Sequence, residues 1–157
     1  MLIKTHFAIT IFGILILISQ VEHKIIFIVM ALTGTIIPDI DSRFSVIGRK
    51  FVNRILQFFT KHRGIIHSFT FLICITLILV CFVPTLALGL FLGYGLHLLA
   101  DSFTSYGITP FYPFSKKKSE GFITSGKKSE RFVFICFIVF DLLLLWMRLS
   151  DIYLLVK

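Results

Sequence analysis

The chain has 157 residues, of which 57% are hydrophobic and 19 are phenylalanine, and its mean hydropathy is +0.95. One domain of this size cannot bury so much apolar surface, so the composition excludes an ordinary water-soluble fold and predicts that lipid covers most of it. The net charge of +8 would suggest nucleic-acid binding in a soluble protein, but the basic residues are confined to short segments between apolar runs. Their placement indicates membrane topology instead, and no nucleic-acid partner is expected.

Five apolar runs predict membrane-spanning helices, each of which needs about 20 mostly apolar residues. They cover residues 5–20, 24–38, 65–83, 85–101 and 132–149. Pro84 separates the third run from the fourth, because proline disfavours helix at the residue before it. The first run resembles a signal peptide but lacks a small-residue cleavage site, so we interpret it as a retained span. The sequence thus predicts an all-α polytopic membrane helix bundle of about five transmembrane helices, forming one membrane-embedded domain over residues 1–157.

Two basic loops set the predicted orientation. Loops 42–63 and 102–131 are rich in lysine and arginine, and the positive-inside rule places both in the cytoplasm together with the N-terminus. In the first loop, Phe51, Ile55 and Phe58 fall on one helical face, with basic and amide side chains opposite. This pattern predicts one amphipathic helix, which either lies in the membrane surface or packs on the protein.

On this topology, seven side chains of metal-ligand type share the cytoplasmic end of the bundle. They are His6, Asp39, Asp41, His62, His67, His97 and Asp101. Hydropathy and loop charge define the topology without reference to these residues, so their convergence at one depth is a separate observation. Histidines and carboxylates from separate segments are typical of a metal centre.

The most informative local pattern is His97-x-x-x-Asp101. Residues four apart on a helix stand about 6 Å apart on the same face and can bind one ion, although a hydrogen-bonded pair joining two helices would show the same spacing. Asp39 and Asp41 end the second run in alternate positions of a short segment. We interpret Asp39 as a direct ligand and Asp41 as an orienting group, while a role for both as turn formers stays open.

Two further histidines flank Gly64 where the third run begins. His67, expected one turn into that helix, is the better-placed ligand, and His62 is either a ligand or an acid/base group. Arg63 between them could hold an anionic group through its planar guanidinium, or it could be one more basic residue of the cytoplasmic loop.

Mixed imidazole and carboxylate ligation suits a divalent metal, most of all Zn²⁺, with Mn²⁺ or Fe²⁺ as alternatives. Seven candidates exceed the four ligands of one zinc ion, so one or two ions are expected. A metal in such a site activates water for hydrolysis near neutral pH. Asp141 lies midway along the fifth run, too deep for this cluster, and a polar contact between helices is expected there.

Four motifs in order resemble the YdjM-like family of bacterial and archaeal inner-membrane proteins, whose members are described as predicted metal-dependent hydrolases. The motifs are Thr5-His6, Pro38-Asp39-Ile40-Asp41, the stretch from His62 to Ser68, and the stretch from Gly93 to Asp101, followed by Thr104 and Gly107. That family is distantly similar to zinc-dependent phospholipase C and to the S1/P1 nucleases. By this likeness His6, Asp39, His67, His97 and Asp101 would be metal ligands, but the chain has no histidine after Asp101 and so lacks a further ligand pair of the phospholipases.

The sequence therefore predicts hydrolysis of a phosphoester, in a lipid or another amphipathic substrate, at the cytoplasmic face of the inner membrane. Asp41, His62 and Arg63 would be the catalytic groups beside the metal. Membrane lipid, and anionic phospholipid headgroups in particular, would be the partners. Two other classes stay open: a divalent-metal transporter, and a noncatalytic membrane scaffold or regulator with a structural metal. Transport sites tend to lie near the membrane midplane, whereas these ligands gather at one edge.

Overall fold

The computed structural model describes the backbone of residues 1–41 and 65–156 and the side chains of residues 1–39 and 65–148. The predicted amphipathic helix, His62 and Arg63 lie outside the described residues, and so does the side chain of Asp41.

The described residues form five α-helices, which confirms the all-α prediction. The helices are α1 (Ile3–Leu17), α2 (Lys24–Ile36), α3 (Phe69–Phe82), α4 (Pro84–Ser102) and α5 (Lys128–Val156). Short 3-10 turns extend α1 through Ile18–Gln20 and α2 through Ile37–Asp41. Over the described ranges the chain has no β-strand, only two isolated bridges between α4 and α5.

Among the residues that the structure describes, two segments are long and apolar enough to cross a membrane, Ile3–Gln20 and Pro84–Ser102. Helix α3 has 14 residues, which at 1.5 Å per residue gives it a length of about 21 Å, less than the roughly 30 Å of a hydrocarbon core. Five complete transmembrane helices therefore stay a prediction.

Helix α4 is the centre of the bundle and packs against α1, α2 and α3. Its contact with α2 depends on small residues: a Cβ at Gly93 would overlap the carbonyl of Ala31, and a Cβ at Gly34 would lie 2.6 Å from the carbonyl oxygen of Leu90. Small residues let membrane helices approach closely, where dispersion rather than water exclusion holds them. This approach brings the end of α2 beside the end of α4.

Helix α5 packs on α1, and the two helices run parallel. Lys4 Nζ lies 5.1 Å from the ring centroid of Phe134, and Arg148, at the far end of the described α5 side chains, donates to the carbonyl of Leu15 at 3.0 Å. The beginnings of α1 and α5 therefore lie at the same end of the bundle. Large apolar side chains on the outer faces of α3 and α5 are exposed, among them Leu77 and Trp146, as expected for surfaces that face lipid.

Candidate metal site

Four separate segments bring the five predicted metal ligands together at one end of the bundle. His6 lies in the first turn of α1, Asp39 in the turn after α2, His67 just before α3, and His97 and Asp101 on α4. They form two overlapping groups, His6 with His97 and Asp101, and Asp39 with His67 and His97, and the ligand atoms within each group lie within 4.8 Å of one another.

The distances between these atoms fit ligands of a shared ion. His6 Nε2 lies 3.4 Å from Asp101 Oδ1, and His97 Nε2 lies 3.9 Å from Asp101 Oδ2 and 3.9 Å from Asp39 Oδ1. His67 Nε2 lies 4.0 Å from Asp101 Oδ2. Most of these separations are too long for hydrogen bonds. Two ligand atoms of a tetrahedral zinc ion stand about 3.3 Å apart when each lies about 2.0 Å from the metal, so modest movement would suffice to bind one.

The orientation of His97 follows from a backbone contact. Its Nδ1 donates to the carbonyl oxygen of Thr35 at 2.8 Å, and because a carbonyl only accepts, the proton must sit on Nδ1. In the neutral ring Nε2 then carries a lone pair, which faces both carboxylates. Metal-binding histidines are commonly oriented in this way. The Thr35 hydroxyl donates to Ala31 O and shares a 2.7 Å hydrogen bond with the Thr10 hydroxyl, which joins α1 to α2.

Two histidines carry buried nitrogens without hydrogen bonds. Among the residues that the structure describes, none forms a hydrogen bond with either ring nitrogen of His6 or with His97 Nε2. The two rings stack with centroids 3.8 Å apart and planes 6° apart. Buried polar atoms almost always have partners, so such nitrogens beside carboxylates call for one. A metal ion would supply it, and the donor set of imidazole and carboxylate fits zinc.

The carboxylates attract positive charge. The amino group of Met1 contacts Asp101 Oδ1 at 2.5 Å, with both groups buried, so a cation already lies against this carboxylate. Asp39 is less buried, with 17% of its side chain exposed. Burial raises the pKa of Asp39, while the nearby His6 and His67 act in the opposite direction. A metal ion would oppose the effect of burial and keep the carboxylate ionised.

The position of His67 differs from the prediction. Ser68 has an extended backbone, and its hydroxyl accepts from Phe71 N at 3.2 Å, so α3 begins at Phe69 and His67 precedes the helix. Tyr94 fixes the segment before the cap by donating to Ile66 O at 2.6 Å. The expectation that His67 lies one turn into the helix is therefore wrong. Ser68 caps the N-terminus of the helix, so the helix begins after His67, whereas hydropathy alone would begin it before His67.

Glu130 is a structural partner of the site that the sequence did not reveal. One of its carboxylate oxygens accepts from Leu2 N at 2.5 Å and from the Thr5 hydroxyl at 2.9 Å, and the other accepts from Gly126 N at 2.5 Å. Burial by itself raises the pKa of Glu130, but these hydrogen bonds outweigh it and lower the pKa below the ordinary value. The carboxylate thus ties the start of α5 to the first turn of α1, next to His6.

Asp141 lies apart from the cluster, as its depth predicted. It is buried, and it belongs to neither ligand group. The predicted polar contact between helices is not formed, since neither of its carboxylate oxygens has a hydrogen-bond partner in residues 1–39 or 65–148.

The fold and site define a class: a helical membrane protein with a buried cluster of histidines and aspartates at one end of the bundle. The family model for YdjM inner membrane proteins matches residues 1–156, and the chain belongs to that family. This confirms the predicted family and the inner membrane as the location.

One curated relative is "Uncharacterized protein YvsG" of Bacillus subtilis (strain 168), which is 30% identical over 105 residues. The match covers 64% of this chain and 66% of the relative, slightly less than two thirds of its length. No solved structure matches the chain. The likeness to zinc-dependent phospholipase C therefore stays a prediction.

Proposed function

We propose that this protein is a membrane-embedded, metal-dependent hydrolase that cleaves a phosphoester in a lipid or another amphipathic substrate. One observation carries the proposal: four segments deliver three histidines and two aspartates to one buried place. There, no hydrogen bond from the described residues reaches either ring nitrogen of His6 or His97 Nε2. A core without a bound ion has no need for such a set, because burying polar atoms without partners costs free energy.

The proposed ligands are His6, Asp39, His67, His97 and Asp101, and the proposed ion is Zn²⁺, with Mn²⁺ or Fe²⁺ as alternatives. His97 belongs to both ligand groups, yet its Nδ1 is hydrogen-bonded to the carbonyl of Thr35. Nε2 is therefore the one ring nitrogen of His97 that can bind a metal. One nitrogen lone pair binds one ion. This favours a single ion, which the two groups share, over a pair.

A divalent ion here would supply a Lewis acid that activates water near neutral pH and polarises a phosphoryl oxygen. The protein's own groups would orient the substrate and move protons. Asp39 stands at the more exposed edge of the cluster and would hold the attacking water. Asp41 and His62 are the proposed acid/base groups, and Arg63 would hold the phosphate.

The proposed topology has five spans, a cytoplasmic N-terminus and the site on the cytoplasmic side. Its support is the parallel arrangement of α1 and α5, together with the basic loop 102–131, which follows Asp101 directly. A site at this depth would meet lipid headgroups rather than acyl chains.

The decisive experiment compares His97→Ala with His23→Ala in purified protein. His23 is exposed and precedes α2, at the other end of that helix from Asp39, so it is a matched control. We expect elemental analysis to find metal in the wild type and in His23→Ala, with phosphodiesterase turnover on a phospholipid panel. In His97→Ala, both metal and turnover should be lost.

Two other outcomes would replace the proposal. Metal retained by the wild type without turnover on any phospholipid would favour the scaffold, and metal uptake into proteoliposomes that depends on His97 would favour the transporter.

A further inference from the structure

The segment between α4 and α5, residues 103–127, is ordered although it is not helical. Ile108 and Ser119 exchange two backbone hydrogen bonds of 3.0 and 2.8 Å, and Ile123 N donates to Phe103 O at 3.1 Å. The side chains of Ile108 and Ile123 are buried and anchor the segment on the bundle. The backbone positions from which its side chains project are therefore fixed. We call this segment the platform.

Several aromatic side chains of the platform are exposed. Phe114 and Phe122 are the most exposed, at 85% and 84%, and Tyr106 and Phe111 are also largely exposed. Scattered apolar residues on a surface need no explanation, but several large rings on one rigid segment indicate an interaction surface.

Basic side chains lie next to these rings in the sequence. Lys116, Lys117 and Lys118 follow Phe114 closely, and all three are exposed. Glu120, the one acidic residue of the platform, pairs with Lys118 at 2.7 Å. The platform therefore combines exposed rings with excess positive charge, which is complementary to an anionic, partly apolar surface.

The platform borders the metal site. The Thr104 hydroxyl donates to the carbonyl of Asp101 at 2.7 Å, and Phe69 N, two residues after His67, donates to Pro110 O at 2.8 Å. Whatever the platform binds would thus lie at the end of the bundle that holds the ligands.

We propose that the platform is a docking surface for the anionic headgroup layer of the surrounding bilayer, with its phenylalanines inserted at the interface and its lysines against lipid phosphates. Aromatic rings favour the interfacial zone, and lysines near it are attracted to anionic lipids. The inference goes beyond hydrolysis, because it concerns how the ligand-bearing end is held against the membrane and would stand without any turnover.

The chain offers a direct test because Trp146 is its single tryptophan. In a Trp146→Phe background, Phe114→Trp places a reporter on the platform, in vesicles of brominated phosphatidylcholine with or without phosphatidylglycerol. We expect the bromine to quench the reporter about as strongly as it quenches native Trp146, and aqueous iodide to quench it little. Phosphatidylglycerol should increase the bromine quenching.

The lysines provide the second arm. Lys116→Gln combined with Lys117→Gln should abolish the increase that phosphatidylglycerol causes at position 114. The same two substitutions in protein that retains Trp146 are the matched control, and the emission of Trp146 should not change.

A reporter quenched by iodide and insensitive to bromine would overturn the proposal, because position 114 would then face water. Protection from both quenchers would overturn it as well and would indicate a protein contact, such as a second copy of the chain. Since metal content and turnover are not measured, failure here is distinct from failure of the hydrolase proposal.

Discussion

Helices α4 and α5 each carry a buried aspartate, and the two differ in everything around them. Asp101 lies at the end of α4 among His6, His67 and His97, which two other segments and its own helix supply. Asp141 lies in the middle of α5, with no hydrogen-bond partner among the described side chains. A carboxylate inside a membrane protein suggests a functional role by default. The comparison shows that the side chains around the carboxylate, histidines in the case of Asp101, decide whether it can take part in binding a metal.

The largest expected effect would come from neutralising the two aspartates separately. Asp101→Asn should remove the metal from the purified protein, because Asp101 is the carboxylate nearest to three histidines. Asp141→Asn should retain the metal at the wild-type ratio. Elemental analysis measures the metal-to-protein ratio of both variants. Equal metal loss in both would contradict the assignment of Asp101 as a ligand.

The next effect concerns the close approach that aligns α2 with α4. Gly93→Ala would push a methyl group into the Ala31 carbonyl, a backbone atom that cannot move aside, and should destabilise the protein by about 1–3 kcal/mol. Gly95→Ala is the control, because its methyl would make an ordinary 3.5 Å contact with Leu72. Thermal unfolding in detergent compares the two variants, and similar melting temperatures would argue against a tight α2–α4 contact.

A smaller effect, dependent on pH, is expected from Glu130. Its lowered pKa means that the ionised carboxylate stabilises the folded state above the ordinary glutamate pKa of 4.5. That stabilisation is lost as the pH falls through the lower pKa of the folded protein. Glu130→Gln should cost about 1–2 kcal/mol at neutral pH and flatten the acid side of the stability profile.

Glu120→Gln serves as the control for Glu130, because Glu120 is exposed and forms only a surface ion pair with Lys118. Its thermal stability should follow that of the wild type across the same pH range. If the stability of Glu130→Gln falls with acidification in the same way as that of the wild type, the hydrogen bonds of Glu130 to α1 contribute nothing to folding stability.

The smallest effect should come from the hydroxyl pair beneath His97. Thr10→Ala removes the 2.7 Å hydrogen bond to Thr35 and should cost about 1 kcal/mol, with slightly weaker metal binding. Thr33→Ala, on an exposed position of α2, should change neither property. A metal titration of both variants tests whether the α1–α2 contact supports the orientation of His97.

The elements could be predicted from the sequence to different degrees. Helix α4 follows the apolar run 85–101 closely, because Pro84 begins it and polar residues follow it. The start of α3 could not be predicted from hydropathy, since the Ser68 cap overrides the apolar residues before it. Helix α5 begins at Lys128 rather than at residue 132, because Lys128 and Glu130 are compatible with a helix that extends beyond the apolar segment.

The sequence by itself determined the all-helical class, the family and the five candidate ligands, because apolar runs, basic loops and an i, i+4 spacing are local properties. Tertiary structure alone decided which nitrogen of His97 faces the carboxylates and that Glu130 joins α5 to α1. Both contacts use backbone groups, the Thr35 carbonyl and the Leu2 amide. Every residue carries such groups, so no residue type marks them in a sequence, and packing of distant segments selects which ones meet.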